Sequence, residues 1–271
     1  MNTILITGLD GSGKSTILKE LSKVKNKNDF EIINLPIIDI QSIGDDNALI
    51  KAAKFVNQLN KMADVQKLPS LKAIAIFSAM LLFKKIFEFK SRTLTKTVFC
   101  ERHPLIDTIV YAQFYAERSS SLAVNEASIA EMEEKYHEEL QYLLQLLPSS
   151  IAIDKKPFIS WFAAFIFKRF FIDKKLSVAD LKELFGIILP DKIYYLKADA
   201  ETLYQRIAKR DVREAHESVE ILQNLGLAYD KLFKEISSDN SNLIEIIDAE
   251  QLSNLDEFRD RIFQKYCSTA K

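Results

Sequence analysis

The residues best placed to do chemistry lie near the start of the chain, in the run Gly8-Leu9-Asp10-Gly11-Ser12-Gly13-Lys14-Ser15-Thr16. The spacing is G-x-x-x-x-G-K-[ST], and three of the chain's six glycines fall inside it. Glycines let a backbone turn so that successive N–H groups face phosphate oxygens, and a following helix adds its positive N-terminal end. In such a loop Gly8, Asp10, Gly11, Ser12, Gly13 and Thr16 line the cradle. Lys14 reaches the β- and γ-phosphates, and the Ser15 hydroxyl ligates Mg²⁺. Lys14 is expected to face solvent. The competing reading is a glycine turn before a helix with a chance lysine. At average glycine usage that accident occurs in about one chain in a hundred of this length, and this chain is glycine-poor.

Two further clusters have the right composition. Thr97-Val98-Phe99-Cys100-Glu101-Arg102-His103-Pro104 reads as a buried strand ending in an acid and a base. Glu101 can hold Mg²⁺ through water, and Arg102 can pair with an acceptor phosphate or orient the acid; the alternative is a surface ion pair at a strand end. Arg206, Lys209, Arg210 and Arg213 recur at three- and four-residue spacings on one stretch. In phosphoryl transfer, mobile arginines neutralise the transferring group; elsewhere such a face is simply solvated. Asn26-Lys27-Asn28-Asp29 matches the N-K-x-D pattern of guanine readers. It falls a dozen residues after Lys14 in a polar stretch and reads as a solvated turn.

The elements that must position these residues alternate. Strands are expected at 3–7, 31–35, 97–100, 192–197 and 243–247. Helices are expected at 14–24, 46–65, 70–90, 105–117, 126–147, 157–172, 177–186, 200–210, 217–236 and 252–266. Short apolar strands (ILIT, EIINL, TVFC, KIYYL, NLIEII) separated by helices indicate an α/β fold: a five-stranded parallel sheet with helices on both faces. Right-handed crossovers favour a doubly wound layout with ligands at the carboxyl ends of the strands.

Composition sets the class. The chain has 271 residues, 48% hydrophobic and 28% charged, with net charge −1, as expected for a globular protein and without a basic excess that would favour a nucleic-acid polymer. Cys100 and Cys267 form no C-x-x-C, and three histidines suggest no zinc site. A first strand from residue 3 leaves no room for a signal peptide, so a cytoplasmic location is expected. Ala73–Phe83 and Pro157–Phe167 are charge-free but short of the roughly 20 residues of a membrane span, so no transmembrane segment is expected. Residues 157–172 carry Phe158, Trp161, Phe162, Phe165, Phe167, Phe170 and Phe171. Apolar groups on nearly all sides point to a helix in the core or a homodimer interface. A lining for an apolar acceptor and a shallow membrane-surface contact remain alternatives.

GLDGSGKST, FCERHP, PDKIYYLKADAETLYQRIAKRDVRE and the closing IIDAEQL stand in the order found in thymidylate kinases. The chain resembles that branch of the P-loop nucleoside monophosphate kinases over roughly residues 1–115 and 178–266. The resemblance implies a three-layer P-loop NTPase fold in a single domain over 1–271, a helical insert at roughly 118–176, and a lid at roughly 206–216. It further implies ATP as donor, Mg²⁺ as cofactor and a small-molecule acceptor. Lys14, Arg102, Arg206, Arg210 and Arg213 would be catalytic, Ser15 and Glu101 would hold the metal, and Asp10 would face the acceptor sugar. The acceptor half departs from the pattern. Asn34-Leu35-Pro36-Ile37 keeps only the proline of the family's Arg-Glu-Pro run. Phe77-Ser78-Ala79-Met80 occupies the region of a substrate-side arginine, Ile106 and Asp107 replace small hydroxyl residues, and Tyr111 stands near the base-reading glutamine. The Glu101-Arg102 pair also resembles the Glu-Arg-Ser motif of deoxynucleoside kinases. A nucleoside or other small alcohol would need a carboxylate base, for which Asp39 is a candidate. A catalytically reduced ATP-binding regulatory module is the reading from outside enzymology.

Overall fold

The computed structural model describes residues 2–24, 30–92, 96–118, 126–153, 157–209, 218–238 and 240–267. Asn26-Lys27-Asn28-Asp29, Arg210 and Arg213 lie outside them. The described chain forms two compact units. One comprises residues 1–33, 90–102 and 189–271, the other 34–89 and 103–188.

The first unit holds the sheet. Its strands are β1 (Asn2–Gly8), β2 (Phe30–Ile33), β3 (Thr97–Cys100), β4 (Lys192–Lys197) and β5 (Ile244–Asp248). All pair in parallel, in the order β2-β3-β1-β4-β5. Five parallel strands with helices on both faces is the architecture expected from the alternating apolar runs. β1 and β3 are buried nearly throughout, as central strands of a parallel sheet are. β4 shows how the alternation works. Tyr194 packs against Phe258 of α11 (Leu252–Cys267), while the next residue, Tyr195, packs against Tyr229 and Phe233 of α10 (Val219–Ser237). Successive strand side chains point to opposite faces, so one dityrosine serves two helical layers. On the α11 side, Ile17, Leu18 and Leu21 of α1 (Lys14–Lys23) complete a core with Ile4, Ile6, Phe99 and Leu196. The chain passes from β1 to β2 at one edge and later from β3 past β1 to β4 on the other side, which creates a switch point at the carboxyl ends of β1 and β3, where such sheets bind ligands.

The second unit is helical: α2 (Asn47–Gln66), most of α3 (Pro69–Ser91), α4 (Pro104–Arg118), α5 (Glu126–Lys135), α6 (His137–Gln145), α7 (Phe158–Ile166) and α8 (Val178–Phe185). Its centre is Phe77 of α3, whose ring lies 5.3–5.8 Å from those of Phe162, Phe165, Phe170 and Phe185. The aromatic block is therefore core here. Phe158, Trp161, Phe162 and Phe170 are buried, as is most of the charge-free run 73–83, and among the described residues no helix is long and apolar enough to cross a membrane. Two details differ from the sequence expectation. The helix expected over 157–172 changes to π-helical turns at Phe167–Ile172. The one expected over 126–147 breaks at Tyr136, whose ring packs 4.8 Å from that of Phe55.

α4 opens with a locally built cap. The Leu105 N–H donates to His103 Nδ1 (3.3 Å), and the His103 N–H donates to Asp107 Oδ2 (2.7 Å). Pro104 takes the first helical position, where a missing N–H costs nothing. His103 is 1% exposed, and burial pushes its imidazole from 6.5 down to about 3. It is thus a neutral acceptor at Nδ1. The unfolded chain takes up this proton near pH 6.5 and the folded one only near pH 3. The unfolded state therefore binds more protons in between, and stability is lost as pH falls through that window. At its steepest the loss is about 1.4 kcal/mol per pH unit. His103→Asn keeps a capping acceptor but does not titrate. Between pH 6.5 and 4, urea midpoints of the wild type should fall further than those of the variant; parallel pH profiles would refute a buried neutral imidazole.

Candidate active site

β1 delivers the chain to the loop through a position with no room for a side chain. A Cβ at Gly8 would lie 2.5 Å from the Leu196 carbonyl oxygen and 2.7 Å from Ser12 Oγ. The loop then turns on a Ser12 N–H to Leu9 carbonyl bond of 3.1 Å. At Gly13 the backbone is left-handed (φ 96°), and a Cβ would meet Leu255 Cδ1 at 2.9 Å. Gly13 is also the N-cap of α1 and offers no side-chain acceptor. The first helical N–H groups are therefore left to an external anion, supported by the helix dipole. Ser12 is fully buried with its hydroxyl turned inward, and Ser12 Oγ has no hydrogen-bond partner among the described residues. Only its main chain can serve a ligand. Thr16 is exposed.

The charged groups converge on this loop from within the same unit. Lys14 is 4% exposed, not solvent-facing as the sequence suggested: its Nζ donates to Asp10 Oδ1 (2.9 Å) and to the Leu9 carbonyl (3.3 Å). The reason is local, since the loop folds Asp10 back over the first turn of α1 and gives the ammonium a carboxylate within reach. Ser15 Oγ donates to Glu101 Oε1 at 2.6 Å. Glu101 stands just past β3, and its N–H donates to the Ile33 carbonyl (3.1 Å), extending the β2–β3 ladder by one bond. Arg102 Nη2 comes within 3.5 Å of Asp10 Oδ1. Sequence positions 10, 14, 15, 101 and 102 thus meet at the carboxyl edge of β1 and β3.

Arg206, on α9 (Ala200–Ile207), is held by main-chain oxygens. Nη1 donates to the Ala249 carbonyl (2.8 Å) and approaches that of Gly11 (3.5 Å), and Nη2 donates to the Glu250 carbonyl (2.7 Å). It ties the loop to the turn after β5. Lys209 is exposed. α9 itself is capped by Asp199, whose carboxyl is held below its usual range by the Thr202 backbone N–H and then by the Thr202 hydroxyl.

Ser15 and Glu101 present two hard oxygen donors side by side. That set suits Mg²⁺, which keeps several waters and takes its remaining ligands from phosphates. Among the described residues no group of three or more His, Cys, Asp or Glu could hold a metal by itself. In the helical unit, Asp39 accepts from the Gln41 N–H (3.1 Å) as the cap of a short 3₁₀ turn. Tyr111 is buried with its ring stacked on Tyr115.

Three contacts escaped the sequence reading: the Asp10–Lys14 pair, the Arg206 tie to Ala249 and Glu250, and a buried Thr7–Tyr229 hydroxyl pair at 3.0 Å where the loop begins. The i,i+4 spacing of Asp10 and Lys14 was a usable signal for the first. The others join residues 43 or more positions apart through carbonyls or hydroxyls that no motif marks.

No protein-family model and no curated protein matches the chain. Among solved structures it is similar to deoxyadenosine kinase from M. mycoides in three complexes. With the products dCMP and a flexible dCDP bound, that enzyme is 18% identical, with a TM-score of 0.49. With dATP bound the values are 17% and 0.46, and with dCTP bound 18% and 0.47. Each match covers 97% of this chain and 99% of the other. Likenesses this distant do not carry an activity from one chain to another.

Proposed function

We propose that this chain is an ATP-dependent phosphotransferase of the nucleotide and nucleoside kinase kind, moving the γ-phosphate of ATP to a small acceptor. One observation carries the reading: a glycine-cradled helix N-terminus, a lysine, a hydroxyl–carboxylate pair and an arginine meet at the switch point of a parallel sheet. In the proposed mechanism the N–H groups of Gly11 to Ser15 and the Lys14 ammonium hold the donor phosphates in line with the acceptor. Positioning and charge neutralisation supply most of the acceleration in such transfers. Ser15 and Glu101 would hold Mg²⁺, which when bound neutralises and orients the phosphate oxygens. Arg102 and Asp10 would place the acceptor, and Arg210 and Arg213 would screen the transferring group from a lid at 206–216, with Arg206 anchoring its base to the Ala249 and Glu250 carbonyls instead of moving with it. The reading treats the 271 residues as one catalytic domain with 118–176 as its insert.

A nucleoside monophosphate acceptor follows from the thymidylate kinase resemblance. One observation favours a hydroxyl acceptor instead. The α3 stretch where a phosphate-binding arginine would stand is Phe77-Ser78-Ala79-Met80, and all four residues are buried, with Phe77 ringed by phenylalanines. The resemblance assigns that stretch to the acceptor, and its four residues carry no cation for a phosphate; an alcohol would draw on a carboxylate as base.

Lys14→Met should abolish ATP-dependent phosphoryl transfer while the fold persists. Because Lys14 is buried against Asp10, a stability loss of about 1–2 kcal/mol should accompany it. An ADP-release assay over nucleosides, nucleoside monophosphates and small alcohols identifies the acceptor, and unchanged turnover in the variant would remove the phosphate-loop assignment. Glu101→Gln keeps size but loses charge, and should raise the Mg²⁺ concentration for half-activity about tenfold while ATP binding changes little. Superimposable metal titrations would make the acid structural.

Thymidylate should be a poor acceptor. A site built to hydrogen-bond a polar group discriminates by roughly 10⁴-fold against a ligand lacking it; the arginine and glutamine positions are apolar or aromatic here, and losing those donors should be comparably severe. Turnover on thymidylate of order 10 per second at micromolar KM, ordinary enzyme values, would overturn this.

A further inference from the structure

We propose that Asp10 is the specificity-determining counter-ion of the phosphate loop. It holds Lys14 in an internal ion pair, so that the loop accepts a polyphosphate chain and rejects a single phosphate. The proposal rests on the phosphate-loop reading and adds a selection rule to it. A carboxylate beside an anion site is electrostatically adverse to the anion, so its presence there calls for a reason. The geometry supplies one. Asp10 Oδ1 lies 2.9 Å from Lys14 Nζ and 3.5 Å from Arg102 Nη2, with the side chains of Lys14, Asp10 and Arg102 only 4%, 16% and 14% exposed. One carboxylate thus occupies two cations where solvent screens them little.

For Lys14 to reach a phosphate, this pair has to open. Inorganic phosphate offers the ammonium one dianion in exchange for the carboxylate it already has, so the net gain is small. A triphosphate offers Lys14 charged oxygens and at the same time fills the row of N–H groups at the start of α1, which Gly13 leaves without a side-chain cap. Only the longer anion brings enough additional contacts to displace Asp10. The released carboxylate keeps Arg102 as a partner, so opening the pair does not strand a buried charge.

The test uses metal-free inorganic tripolyphosphate and orthophosphate as probes, titrated calorimetrically into the full chain. The wild type should bind tripolyphosphate and bind orthophosphate at least a hundredfold more weakly. Asp10→Asn should bind orthophosphate at least tenfold tighter and narrow that ratio. In parallel, amidination of Lys14 followed by peptide mass spectrometry should run at least fivefold faster in Asp10→Asn, because the amine is no longer held. Asp10→Ser repeats both measurements should the asparagine variant fail to fold. Orthophosphate affinity within twofold of wild type overturns the proposal. So does tighter binding with unchanged Lys14 labelling, since Asp10 would then be a fixed repelling charge and not a latch. Lys14→Met separates this from the underlying reading. If that variant binds tripolyphosphate like the wild type, the loop is not the phosphate site at all.

Discussion

The carboxyl end of β1 is packed so closely against β4 that residue 8 cannot carry a Cβ, and the site depends on that constraint. The Leu196 carbonyl lies where a Gly8 side chain would begin. The chain must therefore turn as bare backbone, and a bare backbone turn is what exposes a row of N–H groups at the mouth of α1. Gly13 repeats the constraint at the other end of the loop, under Leu255. The loop is thus clamped between β4 and α11, two elements whose core packing fixes where they stand. A turn built this way points its main-chain N–H groups without rearrangement of the backbone, the kind of preorganisation that positioning requires.

The charges around the loop are neutralised in two different ways. Arg206 spends its guanidinium on carbonyls of Ala249 and Glu250, uncharged partners that fix it as a strut between α9 and the turn after β5. Lys14 and Arg102 instead share a carboxylate. A carbonyl strut is lost only by unfolding the turn, whereas an ion pair can be exchanged for another anion with little other change. The same unit therefore holds one cation against main-chain carbonyls and two against a carboxylate.

The helical unit is organised by aromatic packing around Phe77. Rings drawn from α3, α7, the π-helical turns and α8 meet edge-to-face or tilted, the geometries that aromatic quadrupoles prefer. This explains why the inner side of residues 157–172 is apolar. The block's inner side, Phe158, Trp161, Phe162, Ile166 and Phe170, is buried, whereas Ala164, Lys168 and Ile172 are exposed, so a polar group belongs on the outer side. Arg169 is the exception. Its Nη2 donates to the Asp180 carbonyl, and burial lowers its pKa. Packing among aromatic groups also leaves Phe77-Ser78-Ala79-Met80 of α3 buried and without a cation.

Much of this architecture was legible in the amino-acid order, because it depends on local periodicity. Apolar runs of four to six residues between amphipathic helices can be satisfied by a parallel sheet, and the observed strands fall within two residues of their expected limits. The glycine turn before α1 was legible for the same reason, as glycine spacing encodes its backbone geometry. The break at Tyr136 and the π-helical turns at Phe167 were not, since both arise where a ring finds partners on other helices. Nor was the burial of Lys14. Sequence shows a lysine in a polar loop, but only the fold decides that Asp10 curls over it and that Arg102, 92 positions beyond Asp10, arrives at the same oxygen. By itself the sequence determined the fold class and the glycine-lined turn between β1 and α1. The tertiary structure alone decided that Arg206 meets the Ala249 and Glu250 carbonyls and that Arg102 reaches the carboxylate beside Lys14, because those partners are brought within 3 or 4 Å by chain segments that carry no record of one another.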